Sequence, residues 1–337
     1  MNSAVGKRAS ITNPLTGAGT APEPSEFRSH RFELPAGLAG LRLDQALAKA
    51  LPQYSRARLQ EWIRAGAVTI DGRLPRPRDV VRGDEAVEIN ARMALIGSVA
   101  SEVMDLHVVW SDAHLLVINK PAGLVVHPGA GNSHHTLQNG LLAFDPQLAR
   151  VPRAGIVHRL DKDTSGLLVI ARTPEAHTAL VAQLAAREIH RSYIALCTGV
   201  MTSGGTVDKP IGRHKSLRTR MAVRADGRSA VTHFRVLQRF AAHTLVSVEL
   251  ETGRTHQIRV HLAHLGFPLV GDPVYGGRRR LPAGAHAGLV AELTGFKRQA
   301  LHAARLRLTH PFTGKDLAWE APIPPDLVAL RAALAAK

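Results

Sequence analysis

Cysteine is nearly missing from this chain of 337 residues: Cys197 stands alone, which rules out an intrachain disulfide and a thiolate metal cluster. A lone thiol fits a reducing compartment. Long apolar runs are missing as well. None approaches the roughly 20 residues that span a membrane, and the first thirty residues, polar and rich in Gly, Pro, Ser and Thr, lack the apolar core of a signal peptide. There is no GxxxxGK[ST] phosphate loop, no HExxH and no CxxC. Acids are in short supply, 27 Asp and Glu against 43 Lys and Arg, for a formal charge of +16. The expectation is a soluble cytoplasmic protein with no membrane partner and a disordered polar tail over 1–30.

Hydrophobic residues make up 45% of the chain, enough for real cores, and the length suits about two domains. A cationic surplus of this size attracts phosphate, so nucleic acid is the first partner to consider. A compositional taste for arginine would explain Arg over Lys, but not the deficit of acids.

The first compact unit is expected over 31–94. Leu41, Leu43, Ala46, Leu47, Ala50 and Leu51 recur at helical spacing. Pro52 closes that stretch, and Ser55 suits the N-cap of a second helix over 56–65, stopped by Gly66. Val68-Thr69-Ile70, an Asp71-Gly72 turn and Ala86-Val87-Glu88-Ile89 read as short strands. Arg56, Arg58 and Arg64 lie on the second helix. Two short helices, a small hairpin and an arginine edge resemble the αL RNA-binding motif named after a small-subunit ribosomal protein. Such a unit supplies affinity for phosphates rather than choice of base. After a joint over 95–105, a larger unit over 106–337 begins. Strands are expected near 108–110, 115–118, 166–171, 193–196, 232–237, 244–250 and 301–308, with a helix over 174–187. Many strands with few helices between them argue for α+β architecture on a mixed, largely antiparallel sheet.

Asp161 carries the chemical interest. In His158-Arg159-Leu160-Asp161-Lys162-Asp163-Thr164-Ser165-Gly166 a carboxylate lies between cations and hydroxyls, just before the apolar run Leu167-Leu168-Val169-Ile170. The plain reading is a well-satisfied turn. A calcium loop fails at its twelfth place, where a bidentate Glu is needed and Arg172 stands. Ser165 lacks the G-x-S-x-G context of a hydrolase nucleophile. His256, His261 and His264 are not spaced as zinc ligands on one helical face. A helix over 255–265 would bury Ile258, Leu262 and Leu265.

Gly155-Ile156-Val157-His158-Arg159-Leu160-Asp161-Lys162-Asp163-Thr164-Ser165-Gly166 closely resembles the catalytic motif of the pseudouridine synthases that modify large-subunit ribosomal RNA. Three further segments follow the same family in order: Val117-Ile118-Asn119-Lys120-Pro121-Ala122-Gly123 with His127-Pro128, Arg191-Ser192-Tyr193-Ile194-Ala195-Leu196, and Thr252-Gly253-Arg254-Thr255-His256-Gln257-Ile258-Arg259 leading to Gly271-Asp272-Pro273-Val274-Tyr275-Gly276. The resemblance implies isomerisation of uridine to its C-glycoside without metal, nucleotide or other cofactor. It implies Asp161 as the catalytic carboxylate, Arg259 as its partner, Tyr193 beside the target base, and Arg159 filling the space of a flipped uridine. The basic loop with Arg213, Lys215, Arg218 and Arg220 resembles the D subfamily, as does Arg298-Gln299-Ala300-Leu301-His302-Ala303. A Lys-Ser-Leu-Arg-Thr-Arg run stands where D-type members usually carry a proline-containing loop. The implied substrate is 23S rRNA or the assembling large subunit, at three uridines of the helix 69 stem-loop, and the protein is expected to be a monomer. Other rRNA or tRNA uridines, or a non-catalytic RNA-binding role in ribosome assembly, are the alternatives.

Overall fold

Chain contacts divide the protein into two units between Ser98 and Val99. The structure is a computed structural model and describes residues 25–51, 54, 56–94, 99–129, 132–217, 219–277 and 281–336. The first unit holds strand β1 (Ser25–Glu33), helices α1 (Leu43–Ala50) and α2 (Arg56–Arg64), and strands β2 (Val68–Ile70) and β3 (Ala86–Ala94). The strands form one antiparallel sheet of order β1-β3-β2. Leu43, Ala46 and Leu47 of α1 and Leu59, Trp62 and Ile63 of α2 meet Val87 and Ile89 of β3 in one core. That is the i, i+3, i+4 stripe of an amphipathic helix packed on a sheet. Asp71 and Gly72 both have positive φ, and Ile70 and Arg73 exchange backbone hydrogen bonds across them, the type I′ geometry such a pair favours.

One of three expectations changes here. Residues 25–30 belong to β1 rather than to a tail. The sequence over 25–30 carries a single apolar residue, Phe27, and so shows no apolar alternation to read. The expected N-cap Ser55 lies outside the described residues. Arg56, read as an RNA contact, donates from Nε and Nη2 to Asp44 Oδ2 at 3.0 and 2.8 Å, with Arg42 and Gln60 on the same buried carboxylate. Its first task is to fasten α2 to α1. Arg64 is exposed, and Arg58 lies on the same helix with its side chain outside the description.

The second unit runs β4 (Val108–Ser111), β5 (Leu115–Lys120), α3 (Leu137–Phe144), β6 (Ser165–Ala171), α4 (Pro174–Ala186), β7 (His190–Thr198), β8 (Gly205–Asp208), β9 (Ile211–Arg213), β10 (Met221–Val223), β11 (Val231–Arg239), β12 (His243–Leu250), α5 (Gln257–His264), α6 (Ala287–Gly295), β13 (Leu301–Thr309), β14 (Asp316–Glu320) and α7 (Pro325–Ala335). Its large sheet has the order β4-β5-β6-β13-β7-β12-β11-β8, with β14 beside β13, while β9 and β10 form a separate hairpin. Among the described strands of this sheet only β6 and β13 pair in parallel, so the sheet is mixed and largely antiparallel. The segment expected as a linker over 95–105 joins this unit from Val99 onward. Asn139 Nδ2 donates to Ala100 O at 2.7 Å, and Glu102 N donates to Asn139 O.

β5 and β6 read as unbroken apolar runs because both their faces are covered. Leu116, Ile118, Leu168 and Ile170 point to a core shared with α3 and α5. Leu115, Val117, Leu167 and Val169, one residue out of phase, pack under α4. Gly166, the second residue of β6, has φ 116°, and an added Cβ there would lie 2.2 Å from Ala303 O and 2.6 Å from Ala303 N on β13. Gly166→Ala is therefore expected to destabilise the unit by roughly 2–5 kcal/mol, from the strained backbone plus the overlap. Urea unfolding of the variant beside the parent checks this.

Candidate active site

Asp161 stands in the turn that leads into β6, and the turn is tied on several sides. Lys120, at the end of β5, is 1% exposed, and its Nζ donates to the carbonyl oxygens of Pro121, Leu124 and Lys162 at 2.7, 2.9 and 2.9 Å. Three acceptors match the three protons of an ammonium group. Burial pulls this ammonium down to about 7, against the opposing pull of Asp163 and Asp161. Gly123 N also donates to Lys162 O, and Thr164 N to Asp161 O. Gln299 Nε2 donates to Thr164 Oγ1 at 3.0 Å. Ser165 Oγ lies 2.9 Å from His302 Nδ1, with both side chains buried, so this hydroxyl clasps β6 to β13 rather than facing a substrate.

Arg259 arrives from α5, and the sequence around it explains how. Gln257 opens that helix and saturates its own amide. Its Oε1 accepts from Arg254 N and Thr252 Oγ1, and its Nε2 donates to Val231 O and Thr232 Oγ1. One turn later His261 uses Nδ1 against Thr232 Oγ1 and Nε2 against Lys209 O, both at 2.9 Å. The helix is buried from Gln257 to Leu262, while Leu265, expected inside, is 40% exposed. Ile258 and Leu262 enter the main core and Val260 a small cluster with Ile211 and Ala230, so α5 has covered sides rather than one wet face.

This burial forces Arg259 to be fully paired. Its Nε and Nη2 bond Asp272 Oδ2 and Oδ1 at 2.7 and 2.9 Å, and its Nη1 donates to Asp161 Oδ2 at 2.9 Å. Asp272 Oδ1 also accepts from the backbone N–H groups of Val274 and Tyr275. Burial pushes the Asp272 carboxyl up, but the Arg259 bonds and charge outweigh it and hold the group below its usual range. The pair is a fixed bidentate anchor that aims the third guanidinium nitrogen at Asp161. The anchor was not foreseen: Asp272 stood in the last quoted segment without a role.

Asp161, Tyr193, Arg259 and Arg159 line one cavity of about 850 Å³. Asp161 keeps 17% of its side chain exposed there. Arg153, Arg187, Arg191 and Arg254 join Arg159 and Arg259 in the lining, against two acids, Asp161 and Glu251. Glu251 is already engaged by Arg187 at 2.5 Å and His233 at 2.7 Å. A concave, arginine-rich wall concentrates positive potential and suits a polyanion. Tyr193, Ile156, Leu250 and Ile258 give the same cavity an apolar side that fits a planar base. Burial pushes the Tyr193 phenol above its ordinary value, so it enters any reaction protonated. Arg213, Lys215 and Arg220 are exposed on and between β9 and β10 and are not among the residues of this lining, and Arg218 lies outside the described residues.

His158 lines the same cavity, partly buried, and Val169 N donates to its Nε2 at 3.2 Å. Burial, with Arg191 nearby, lowers its pKa to about 3. Burial likewise lowers His243, His261 and His302. The unfolded chain takes up these protons near pH 6.5 while the folded one refuses them, so stability falls as pH drops below about 6.5. His158 alone is expected to cost about 2 kcal/mol at pH 5 relative to neutral pH. Melting temperatures at pH 7.5 and pH 5 check this; equal or higher stability at pH 5 contradicts it.

Residues 114–264 match the family model for RNA pseudouridylate synthase, and residues 41–87 match that for the S4 domain. The chain is 55% identical over 312 residues to the ribosomal large subunit pseudouridine synthase D of Xanthomonas campestris pv. campestris, spanning 93% of this chain and 94% of that one. It is 55% identical over 304 residues to the protein of the same name from Pseudomonas aeruginosa, spanning 90% and 95%. Among solved structures, human RNA pseudouridylate synthase domain containing 4 superposes with a TM-score of 0.54 at 27% identity, over 67% of this chain and 92% of that one. Asp272 and Tyr275 lie beyond the segment matched by the family model.

Proposed function

The chain belongs to the RNA pseudouridylate synthase family, among the large-subunit ribosomal RNA enzymes, and from that premise we propose that Asp161 is the carboxylate with which it isomerises three uridines of the helix 69 stem-loop in 23S rRNA. The reaction breaks the bond between uracil N1 and ribose C1′ and makes one between C5 and C1′. The proton leaving C5 is balanced by one gained at N1, so no oxidant, reductant or group donor enters.

The observation that carries this reading is the buried pair Asp272–Arg259 bonded to Asp161 in a cavity whose lining includes arginines and Tyr193. A carboxylate is the group such chemistry needs, as nucleophile toward the sugar or base or as the base that takes a sugar proton. Arg259 holds it aimed while the detached uracil turns over in the cavity. A uridine inside a stem-loop must leave its stack to reach Asp161. Exposed Arg159, on the cavity rim two residues before Asp161, is placed to fill the gap by stacking. Arg64 and the hairpin cations Arg213, Lys215 and Arg220 supply phosphate contacts that hold the RNA without reading bases. The protein works in this reading as a monomer in the cytoplasm, on 23S rRNA or the assembling subunit.

Tritium release from RNA carrying 5-tritiated uridine tests the proposal. A helix 69 stem-loop should release label quickly, while an unrelated rRNA stem-loop and a tRNA anticodon arm should not. Equal release from all three would contradict the target. Release from none of them, by folded protein on large-subunit RNA, would contradict the reaction.

A further inference from the structure

Asp161 has two carboxylate oxygens, and among the described residues only Oδ2 has a donor, Arg259 Nη1 at 2.9 Å. Oδ1 faces His256 Nε2 at 3.8 Å. His256 precedes α5 at φ 57°, in the left-handed region where Asn, Asp and His are the usual non-glycine occupants. Its side chain makes no capping bond to the helix and instead lines the cavity. The other ring nitrogen, Nδ1, lies 2.8 Å from Tyr275 Oη. The two rings meet edge to face at 5.6 Å, and the same phenol ring lies 5.0 Å from the Arg259 guanidinium carbon.

The neighbours of Tyr275 Oη bear on which imidazole nitrogen holds the proton. Met221 N–H donates to Tyr275 Oη at 2.9 Å, and a backbone amide can only donate. With one phenol lone pair taken by that amide, the arrangement that sends the phenol's own proton to His256 Nδ1 puts the imidazole proton on Nε2, the nitrogen facing Asp161. Burial holds this imidazole below its ordinary range, with Asp161 and Asp272 pulling upward and Arg259 and Arg159 pushing down. The ring is therefore neutral at pH 7, with one proton to donate.

We infer that His256 is a positioning residue for Asp161: its Nε2–H closes on Oδ1 when RNA fills the cavity, and Tyr275 sets the tautomer that allows this. The inference rests on Asp161 being the reacting group. A contraction of about 1 Å brings the pair into hydrogen-bond range, and contacts of catalytic groups commonly tighten in this way once substrate is bound. Held by Arg259 at one oxygen and His256 at the other, the carboxylate loses its rotation and keeps a fixed lone pair toward the reacting atom.

Single-turnover kinetics on tritiated RNA test the inference. His256→Asn suits the left-handed backbone and keeps an acceptor near the Nδ1 position, but cannot reach Asp161. It is expected to slow the reaction about 10- to 100-fold, the worth of a hydrogen bond to a charged group, with RNA affinity changed less than about twofold. His256→Gln returns an N–H within reach of Asp161 and should recover part of the rate. Tyr275→Phe keeps the ring beside Arg259 but releases the tautomer, and should lose less than His256→Asn. The double variant should be no slower than His256→Asn, because the two residues act in series.

Parental rates in a folded His256→Asn protein, no recovery with Gln, a loss confined to RNA affinity, or multiplied losses in the double variant would each overturn the inference. If His256→Asn melts early, Tyr275→Phe decides, and a parental rate there overturns it. Asp161→Asn run alongside separates two failures. If it is inactive while His256→Asn is fully active, only the inference falls; if it is active, the reading of the site falls.

Discussion

Asp161→Asn is expected to abolish isomerisation, by on the order of 10⁴-fold or more, while leaving RNA affinity nearly unchanged. An amide has the shape of the carboxylate but is a poor nucleophile and a poor base. It can still accept from Arg259 Nη1 through its oxygen, so the buried guanidinium keeps a partner and the fold is spared. RNA affinity should persist because it comes from phosphate contacts, and none of the arginines of the cavity wall is altered. The measurement is single-turnover tritium release beside a filter-binding isotherm. A variant that reacts at even a hundredth of the parental rate would mean that another group performs the reaction.

Asp272→Ala is expected to cost about 3–5 kcal/mol, the usual loss when one partner of a buried ion pair is removed. Arg259 is 5% exposed and would keep two unpaired N–H directions, and the N–H groups of Val274 and Tyr275 would lose their acceptor. For a protein of this size that is a fall in melting temperature of roughly 10 °C. Activity should fall too, because Arg259 is then free to turn away from Asp161. The double substitution Arg259→Met with Asp272→Leu separates these effects. Replacing a whole buried pair by apolar side chains commonly restores stability, but here it cannot restore an aimed Asp161. Partial recovery of stability without activity is the expected result, because the N–H groups of Val274 and Tyr275 still lack their acceptor. Unchanged melting of Asp272→Ala would contradict the anchor.

The parts of this site readable in sequence were those carried by contiguous residues. The turn around Asp161 and the apolar strands on either side of Lys120 and Gly166 announce themselves because both faces of β5 and β6 are covered. What could not be read is pairing across the sheet. Asp161 and Arg259 are 98 residues apart, and they meet only because β6, β13, β7 and β12 lie in that order. Asp272 and His256 were visible as residues, but their roles depend on a guanidinium with three bonds and on a ring turned by a left-handed φ. Arg56 shows the converse. A surplus of arginine does not say which cations face phosphate and which face a buried carboxylate such as Asp44. Strand β1 stayed hidden because its apolar residues do not alternate, and Leu265 because a helix buried on several sides has no single apolar stripe.

The central claim is Asp161-dependent conversion of uridines in large-subunit rRNA, and mapping of 23S rRNA at nucleotide resolution tests it most directly. Cells lacking the protein should lose pseudouridine at the helix 69 stem-loop and nowhere else in that RNA. The parental gene should restore all three sites, and the Asp161→Asn gene none. Pseudouridine persisting at those sites without the protein, or returning with Asp161→Asn, would contradict the account.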